Sequence, residues 1–141
     1  MSLEDDYRLV LPLRARFRDT DGMGHVNNAV FFTYCEEARA AYFRRVAGVR
    51  NYRDVFFILA SATCDFRSPI QPGEEFAIGV RMERIGGKSF DMSYRAHALD
   101  GGRLLAEATS VQVAFDYRAE RSIPVPEEFR RQVEAFEGRS F

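Results

Sequence analysis

This chain has little that would anchor it to a metal, a disulfide framework, a membrane or a nucleic acid. Its 141 residues hold two cysteines, Cys35 and Cys64, in no CxxC arrangement. Two isolated thiols make no disulfide framework and suit a reducing compartment. The two histidines, His25 and His97, are far apart and belong to no HxxxH motif, so a metal site would have to be built mostly from carboxylates. No apolar run approaches the ~18 residues of a membrane span. The opening Met1-Ser2-Leu3-Glu4-Asp5-Asp6 is acidic, unlike a signal peptide, and the expectation is a cytoplasmic protein. A net charge of -1 gives no reason to expect nucleic acid or a membrane surface as partner. Lysine is nearly absent: Lys88 stands alone, and arginine carries the rest of the positive charge. Internal repeats, linkers and low-complexity segments are missing as well, and the length fits one domain over 1–141 with a substantial core.

What is present is concentrated in one stretch. Arg18-Asp19-Thr20-Asp21-Gly22-Met23-Gly24-His25-Val26-Asn27-Asn28 carries two carboxylates, an imidazole, two glycines and two asparagines. Before it, Leu9 to Phe17 alternates, with Leu9, Leu11, Leu13, Ala15 and Phe17 on one face and Arg14, Arg16 and Arg18 on the other. That period predicts a strand with one buried face, and Pro12 places it at an edge or a strand start. The arginine row reads most simply as a solvated outer face. After the cluster comes an apolar helical segment with a stripe of Phe31, Tyr34, Cys35, Ala38, Ala41 and Tyr42. Asn27 or Asn28 suits its N-cap and Gly48 its C-terminal stop. Val30, Phe32 and Phe43 lie off the stripe, so the helix should be enclosed by its own protein or a partner.

Four alternating segments come next. In the first, Phe56, Ile58, Ala60, Ala62, Cys64 and Phe66 alternate, and Ser68 to Gly73 breaks the run. The second is carried by Phe76, Ile78, Val80 and Met82, the third by Phe90, Met92, Tyr94 and Ala96. The last runs from Leu104 to about Tyr117, with small Ala106, Ala108, Ser110 and Ala114 on one face, which predicts close approach by a helix. Gly86-Gly87 and Asp100-Gly101-Gly102 mark hairpin turns. A short helix from Glu127 to Glu137 closes the chain behind Pro124 and Pro126. The fold class is therefore α+β: an antiparallel sheet with one long helix on a single face.

The polar cluster falls in a strand-to-helix loop, where free backbone N–H groups and the helix dipole favour a developing negative charge. Asp19 and Asp21 are two apart and are not read as a paired acid and base; either suits an Asx-turn or a cap. His25, four positions beyond Asp21 in a turning loop, favours Asp21 as the chemical one. A carboxylate beside an imidazole can act as base or nucleophile, and the first helical amides can hold an oxyanion. Gly22 and Gly24 would let a substrate approach the backbone, or simply make the turn. Cys35 reads as a buried structural thiol. Gly87-Lys88-Ser89 lacks the first glycine and the strand-to-helix context of a phosphate loop, yet it places Lys88 and two amides where a ligand phosphate could bind.

Asp19-Thr20-Asp21-Gly22-Met23-Gly24-His25-Val26-Asn27-Asn28 followed by Tyr34-Cys35-Glu36-Glu37-Ala38-Arg39 resembles the hot-dog fold acyl-CoA thioesterases of the 4-hydroxybenzoyl-CoA thioesterase-like family. Arg67-Ser68-Pro69-Ile70, Gly87-Lys88-Ser89-Phe90 and Ala106-Glu107-Ala108 extend the likeness over nearly the whole chain. The resemblance implies a hot-dog fold, an antiparallel sheet wrapped around one central helix. It also implies a homodimer or homotetramer with sites at the subunit interface, and no metal or cofactor. By the same resemblance Asp21 matches the catalytic carboxylate, as nucleophile or general base in hydrolysis of an acyl-CoA, or an acyl-ACP, thioester. His25 and Asn28 stand as its orienting partners. Gly24, Glu36, Gly87, Lys88 and Ser89 are the expected substrate contacts. A hot-dog hydratase or dehydratase and a non-catalytic acyl-CoA-binding module are the alternatives.

Overall fold

The computed structural model describes residues 2–141. A short helix α1 (Leu3–Asp6) leads into strand β1 (Leu9–Arg14), and a 3-10 turn (Phe17–Asp19) precedes the long helix α2 (Asn28–Ala47). Strands β2 (Phe57–Phe66), β3 (Glu75–Ile85), β4 (Ser89–Ala98) and β5 (Leu104–Asp116) come after it, then the two-residue β6 (Arg121–Ser122) and helix α3 (Glu127–Glu137). All pairings are antiparallel, in the order β1-β3-β4-β5-β2, with β6 on β5. This curled sheet around one helix is the expected α+β, hot-dog architecture.

Alternation explains how the sheet holds the helix. Phe76, Ile78, Val80 and Met82 of β3 and Phe90, Met92, Tyr94 and Ala96 of β4 are all buried beneath α2. From β5 the same face is built by Ala106, Ala108, Ser110, Gln112 and Ala114. The helix lies nearest β3, with β1 and β2 next, so the close helix approach expected at these small residues is not found. On α2 the buried set is Phe31, Tyr34, Cys35, Ala38, Arg39, Tyr42 and Phe43. Asn27 caps the helix, its Oδ1 accepting the Ala29 amide at 2.8 Å, and Gly48 ends it in a left-handed conformation, φ 69°.

The far end of α2 is closed by α3. Phe43 stacks on Phe129 and on Phe57, at centroid distances of 5.3 and 4.4 Å. The Tyr42 hydroxyl donates to the Glu137 carboxylate at 2.8 Å, which also accepts the Met82 amide. One end of the helix is thus locked by aromatic packing, leaving its N-terminal end for the polar loop.

Two further expectations are corrected. The first strand ends at Arg14 rather than at Phe17, because Arg16 and Asp19 turn the chain into the 3-10 segment. Phe17 is consequently 84% exposed instead of sharing the buried face, and Arg16 folds back on Asp19, so the arginine row is broken. In β2 the register shifts between Leu59 and Ser61. Phe57 and Leu59 lie opposite the buried Ala114 and Gln112, whereas Ala62, Cys64 and Phe66 lie opposite Ser110, Ala108 and Ala106. The bulge at Ala60 therefore moves Ile58 off the face shared by Ala62, Cys64 and Phe66. The single chain also covers only one side of α2: Phe32, Glu36 and Arg44 remain exposed.

The cap sets where the helix begins, and with it the position of the loop. Replacing Asn27 with Ala should cost about 0.5–2 kcal/mol of unfolding free energy, and Asn27→Ser should recover most of it. Chemical denaturation of the two variants measures this; equal stability of Asn27→Ala and wild type would mean that tertiary packing alone fixes the helix start.

Candidate functional site

The loop from Thr20 to Val26 is a closed turn. Thr20 and Val26 form an isolated antiparallel bridge, the Asp21 amide donates to the His25 carbonyl at 3.0 Å, and the Gly24 amide donates to the Asp21 carbonyl at 3.1 Å. Gly24 has φ +84°, a conformation side chains disfavour, so the turn needs glycine there. Beyond the turn, the Val26 amide donates to the Ile70 carbonyl and the Asn27 amide to the Asp19 carbonyl, at 2.8 and 2.9 Å. The loop is thus pinned to a second loop on one side and to the end of the 3-10 turn on the other.

The two aspartates have opposite environments. Asp19 is 3% exposed and accepts hydrogen bonds from the Tyr34 hydroxyl at 2.7 Å, from the Arg16 amide at 3.0 Å and from the Arg16 guanidinium at 3.1 Å. Burial opposes its ionisation, but the donors from Tyr34 and Arg16 outweigh it, and its carboxyl is held below the ordinary carboxylate value. The Tyr34 hydroxyl is driven up, by burial first and then by its bond to that carboxylate. Asp19 is therefore saturated. Asp21, half-buried, spends Oδ1 on the Met23 amide at 2.8 Å, and its Oδ2 takes part in no hydrogen bond among the described residues. It is the carboxylate with capacity to spare.

Beside this loop opens a cavity of about 280 Å³. His25 and Asn28 face it, with Phe31 of α2, Phe66 at the end of β2, and Arg67 and Ser68 beyond. The amide of Asn28, the first residue of α2, makes no hydrogen bond among the described residues, which leaves a donor at the helix's positive end. The structure thus brings His25 and Asn28 to one cavity and sets Asp21 on the adjoining turn, outside the cavity wall itself.

The other expected contacts lie elsewhere. Gly24 is exposed at the turn. Glu36, two helical turns further along α2, lines a second cavity. Gly87 and Lys88 lie in the β3–β4 turn and Ser89 opens β4; the Lys88 carbonyl accepts the Ala114 amide. Since Ala114 pairs with Phe57 and Ala106 with Phe66, the turn lies at the opposite end of β2, nine residues or ~30 Å from the first cavity. One chain alone does not join them. Cys35 is buried, and burial, with Cys64 nearby, pushes its thiol up to about 12, which removes it as a nucleophile. Tyr34 stood in the sequence as part of an apolar stripe and of the family-like segment; the structure adds that its hydroxyl anchors Asp19. Phe66 stood in the sequence as the end of an alternating strand, and Arg67 and Ser68 as part of the family likeness, none of them as cavity residues.

Known proteins resemble the chain over most of its length. Residues 15–133 match the model of the thioesterase-like superfamily. A 1,4-dihydroxy-2-naphthoyl-CoA hydrolase of Synechococcus sp. (strain CC9605) is 26% identical over 136 residues, 90% of each chain. Protein YsmA of Bacillus subtilis (strain 168), which is uncharacterized, is 34% identical over 86 residues. That alignment takes in 61% of the present chain and 58% of the Bacillus protein's length. Among solved structures, a thioesterase from Thermus thermophilus complexed with coenzyme A and Zn superposes with a TM-score of 0.86 at 34% identity, covering 96% of this chain and 98% of that one.

The Asp19 environment makes a pH-dependent prediction. A carboxyl whose folded pKa is depressed contributes stability that is fully present above its unfolded value of about 4 and is lost as pH falls through the folded one. Asp19→Asn should therefore destabilise the protein by about 1–3 kcal/mol near pH 7, and the gap to wild type should close as the pH falls below about 4. Urea unfolding of both proteins between neutral and acid pH measures it; a gap independent of pH would exclude an ionised Asp19 as the stabilising group.

Proposed function

The chain belongs to the thioesterase-like superfamily, and from that membership we propose that it is a hydrolase of acyl-CoA thioesters, releasing the free acid and the thiol in the cytoplasm. Asp21 is the catalytic carboxylate. The observation that carries this reading is the unspent Asp21 carboxylate on a pinned turn that adjoins the cavity lined by His25 and Asn28. Acyl transfer needs two groups together: one to activate water or attack, one to hold the oxyanion.

The thioester carbonyl is placed in the first cavity with its oxygen toward the Asn28 amide. As a general base, Asp21 takes a proton from water while the water oxygen bonds to the carbonyl carbon. As a nucleophile, its Oδ2 forms an acyl-carboxylate anhydride, which water then opens. In both cases the carbon–sulfur bond breaks, the thiolate leaves and is protonated, and the carboxylate is restored. His25 and the Asn28 side chain orient the substrate, and Gly24 leaves the turn open to it.

A second copy of the chain completes the site. Among the described residues β2 pairs only with β5 and its other edge is open, with Ile58, Leu59 and Phe66 42%, 45% and 43% exposed. An open strand edge with apolar side chains is an invitation to pair. Two-fold antiparallel pairing of β2 with β2 would set the Phe57 end of one copy against the Phe66 end of the other. The Gly87-Lys88-Ser89 turn would then approach the partner's cavity, where Lys88 and the turn amides suit the phosphates of CoA.

Two measurements test this reading. Asp21→Asn keeps size and most hydrogen bonding, so it should melt like wild type and lose ~10²–10⁴ in kcat, about 3–5 kcal/mol of barrier. Near-normal turnover would remove Asp21 from the mechanism, and a larger loss in a folded Asp19→Asn would select the other aspartate. For assembly, sedimentation equilibrium should find a homodimer or homotetramer at micromolar concentration; a folded, active monomer would contradict the shared site.

A further inference from the structure

The second cavity, of about 350 Å³, lies between α2 and the start of β2. Its apolar wall includes Phe43, Val55, Phe57 and Leu59, and its charged groups are Arg39, Arg44, Arg50 and Glu36, three cations against one anion. Arg39 is the unusual member. It is only 6% exposed, and its Nη1 donates to the Tyr94 hydroxyl at 2.9 Å. Tyr94 in turn shares a 2.6 Å hydrogen bond with Ser110. Both partners are neutral, and among the described residues Arg39 forms no ion pair with any carboxylate. Burying a guanidinium without a counter-charge is costly, and such a group is normally paired. Beneath the same end, Gln112 lies opposite Leu59 and its Oε1 has no donor among the described residues, while its Nε2 donates to the Phe90 carbonyl. The core here is built around polar groups whose bonding is incomplete.

The two cavities share a face of α2. Asn28 and Phe31 line the first and Arg39 the second, and the eleven residues from Asn28 to Arg39 span ~16 Å of helix. The inner face of β2 between them carries the small residues Ala62 and Cys64. A medium-length chain with its thioester beside Asn28 would reach Arg39 along this path. We propose that the second cavity binds a carboxylate at the far end of the acyl chain, with Arg39 as its counter-charge, so that the preferred substrates are CoA half-thioesters of dicarboxylic acids. This rests on the thioesterase reading above. The planar guanidinium can give two parallel N–H groups to a carboxylate, Arg44 and Arg50 add to the positive field, and the apolar wall covers the methylenes.

The test compares a straight-chain acyl-CoA with the ω-carboxyacyl-CoA of the same chain length. Wild type should prefer the carboxylated substrate by about 10–100-fold in kcat/KM, the worth of a hydrogen-bonded charge pair. In Arg39→Gln that ratio should collapse toward one, and Arg39→Lys should recover part of it. Calorimetry of the free dicarboxylic acid should show binding to wild type and at least ~10-fold weaker binding to Arg39→Gln. Equal or better hydrolysis of the straight-chain substrate by wild type overturns the proposal and leaves the thioesterase reading intact; that comparison needs no variant to fold. If no acyl-CoA is hydrolysed, the thioesterase reading fails, and the calorimetry alone decides whether Arg39 holds a carboxylate: no binding, or binding indifferent to Arg39→Gln, overturns it.

Discussion

The buried carboxylate of Asp19 is the constraint from which the polar end of this molecule is built. Its side chain holds Tyr34 of α2 and Arg16 of the preceding segment, and its carbonyl holds the amide of the capping Asn27. Three pieces of chain are tied to one residue: the turn after β1, the loop, and the helix. An ionised group so enclosed is favourable only with its donors in place, so the arrangement is nearly all-or-none. These ties leave the loop little freedom. Its Asp21 is held by backbone bonds on both its amide and its carbonyl, and Asn28, the first residue of the helix, lines the adjoining cavity.

The helix then serves as a rod between two chemically different ends. At its start are the free Asn28 amide and the His25 side chain; eleven residues on is the buried guanidinium of Arg39. The rod lies against β3, and the aromatic packing of Phe43 with Phe57 and Phe129 holds its far end. Fixed spacing between the ends is what the proposed binding of a substrate at both of them requires, since a misplaced reacting group forfeits much of the advantage of binding.

Much of this was legible in the residues. Period-two alternation in β3, β4 and β5 and the small side chains of Ala106, Ala108 and Ala114 defined the sheet and its helix-facing side, and Asn27 and Gly48 marked the ends of α2. The different natures of Asp19 and Asp21 were visible only through position, because burial and the Tyr34 bond depend on contacts fifteen residues apart. Phe17 misled because alternation continues past the point where Arg16 and Asp19 divert the chain. The bulge at Ala60 was hidden because a one-residue register shift leaves an apolar run looking regular. Arg39 stood in the sequence only at the end of the family-like segment, with nothing to mark it as buried. An arginine in a helix reads as surface, and only the fold places it under the helix beside Tyr94. The separation of the Gly87-Lys88-Ser89 turn from the first cavity is likewise a matter of strand register, not of motif.

Direct observation of thiol release is the most immediate test of thioester hydrolysis. Purified wild-type protein, assayed against a panel of acyl-CoAs with a thiol-reactive dye, should release CoA from at least one of them with a turnover on the order of 1–10³ s⁻¹. No release above the uncatalysed rate from any member of the panel, by protein shown to be folded, would contradict it.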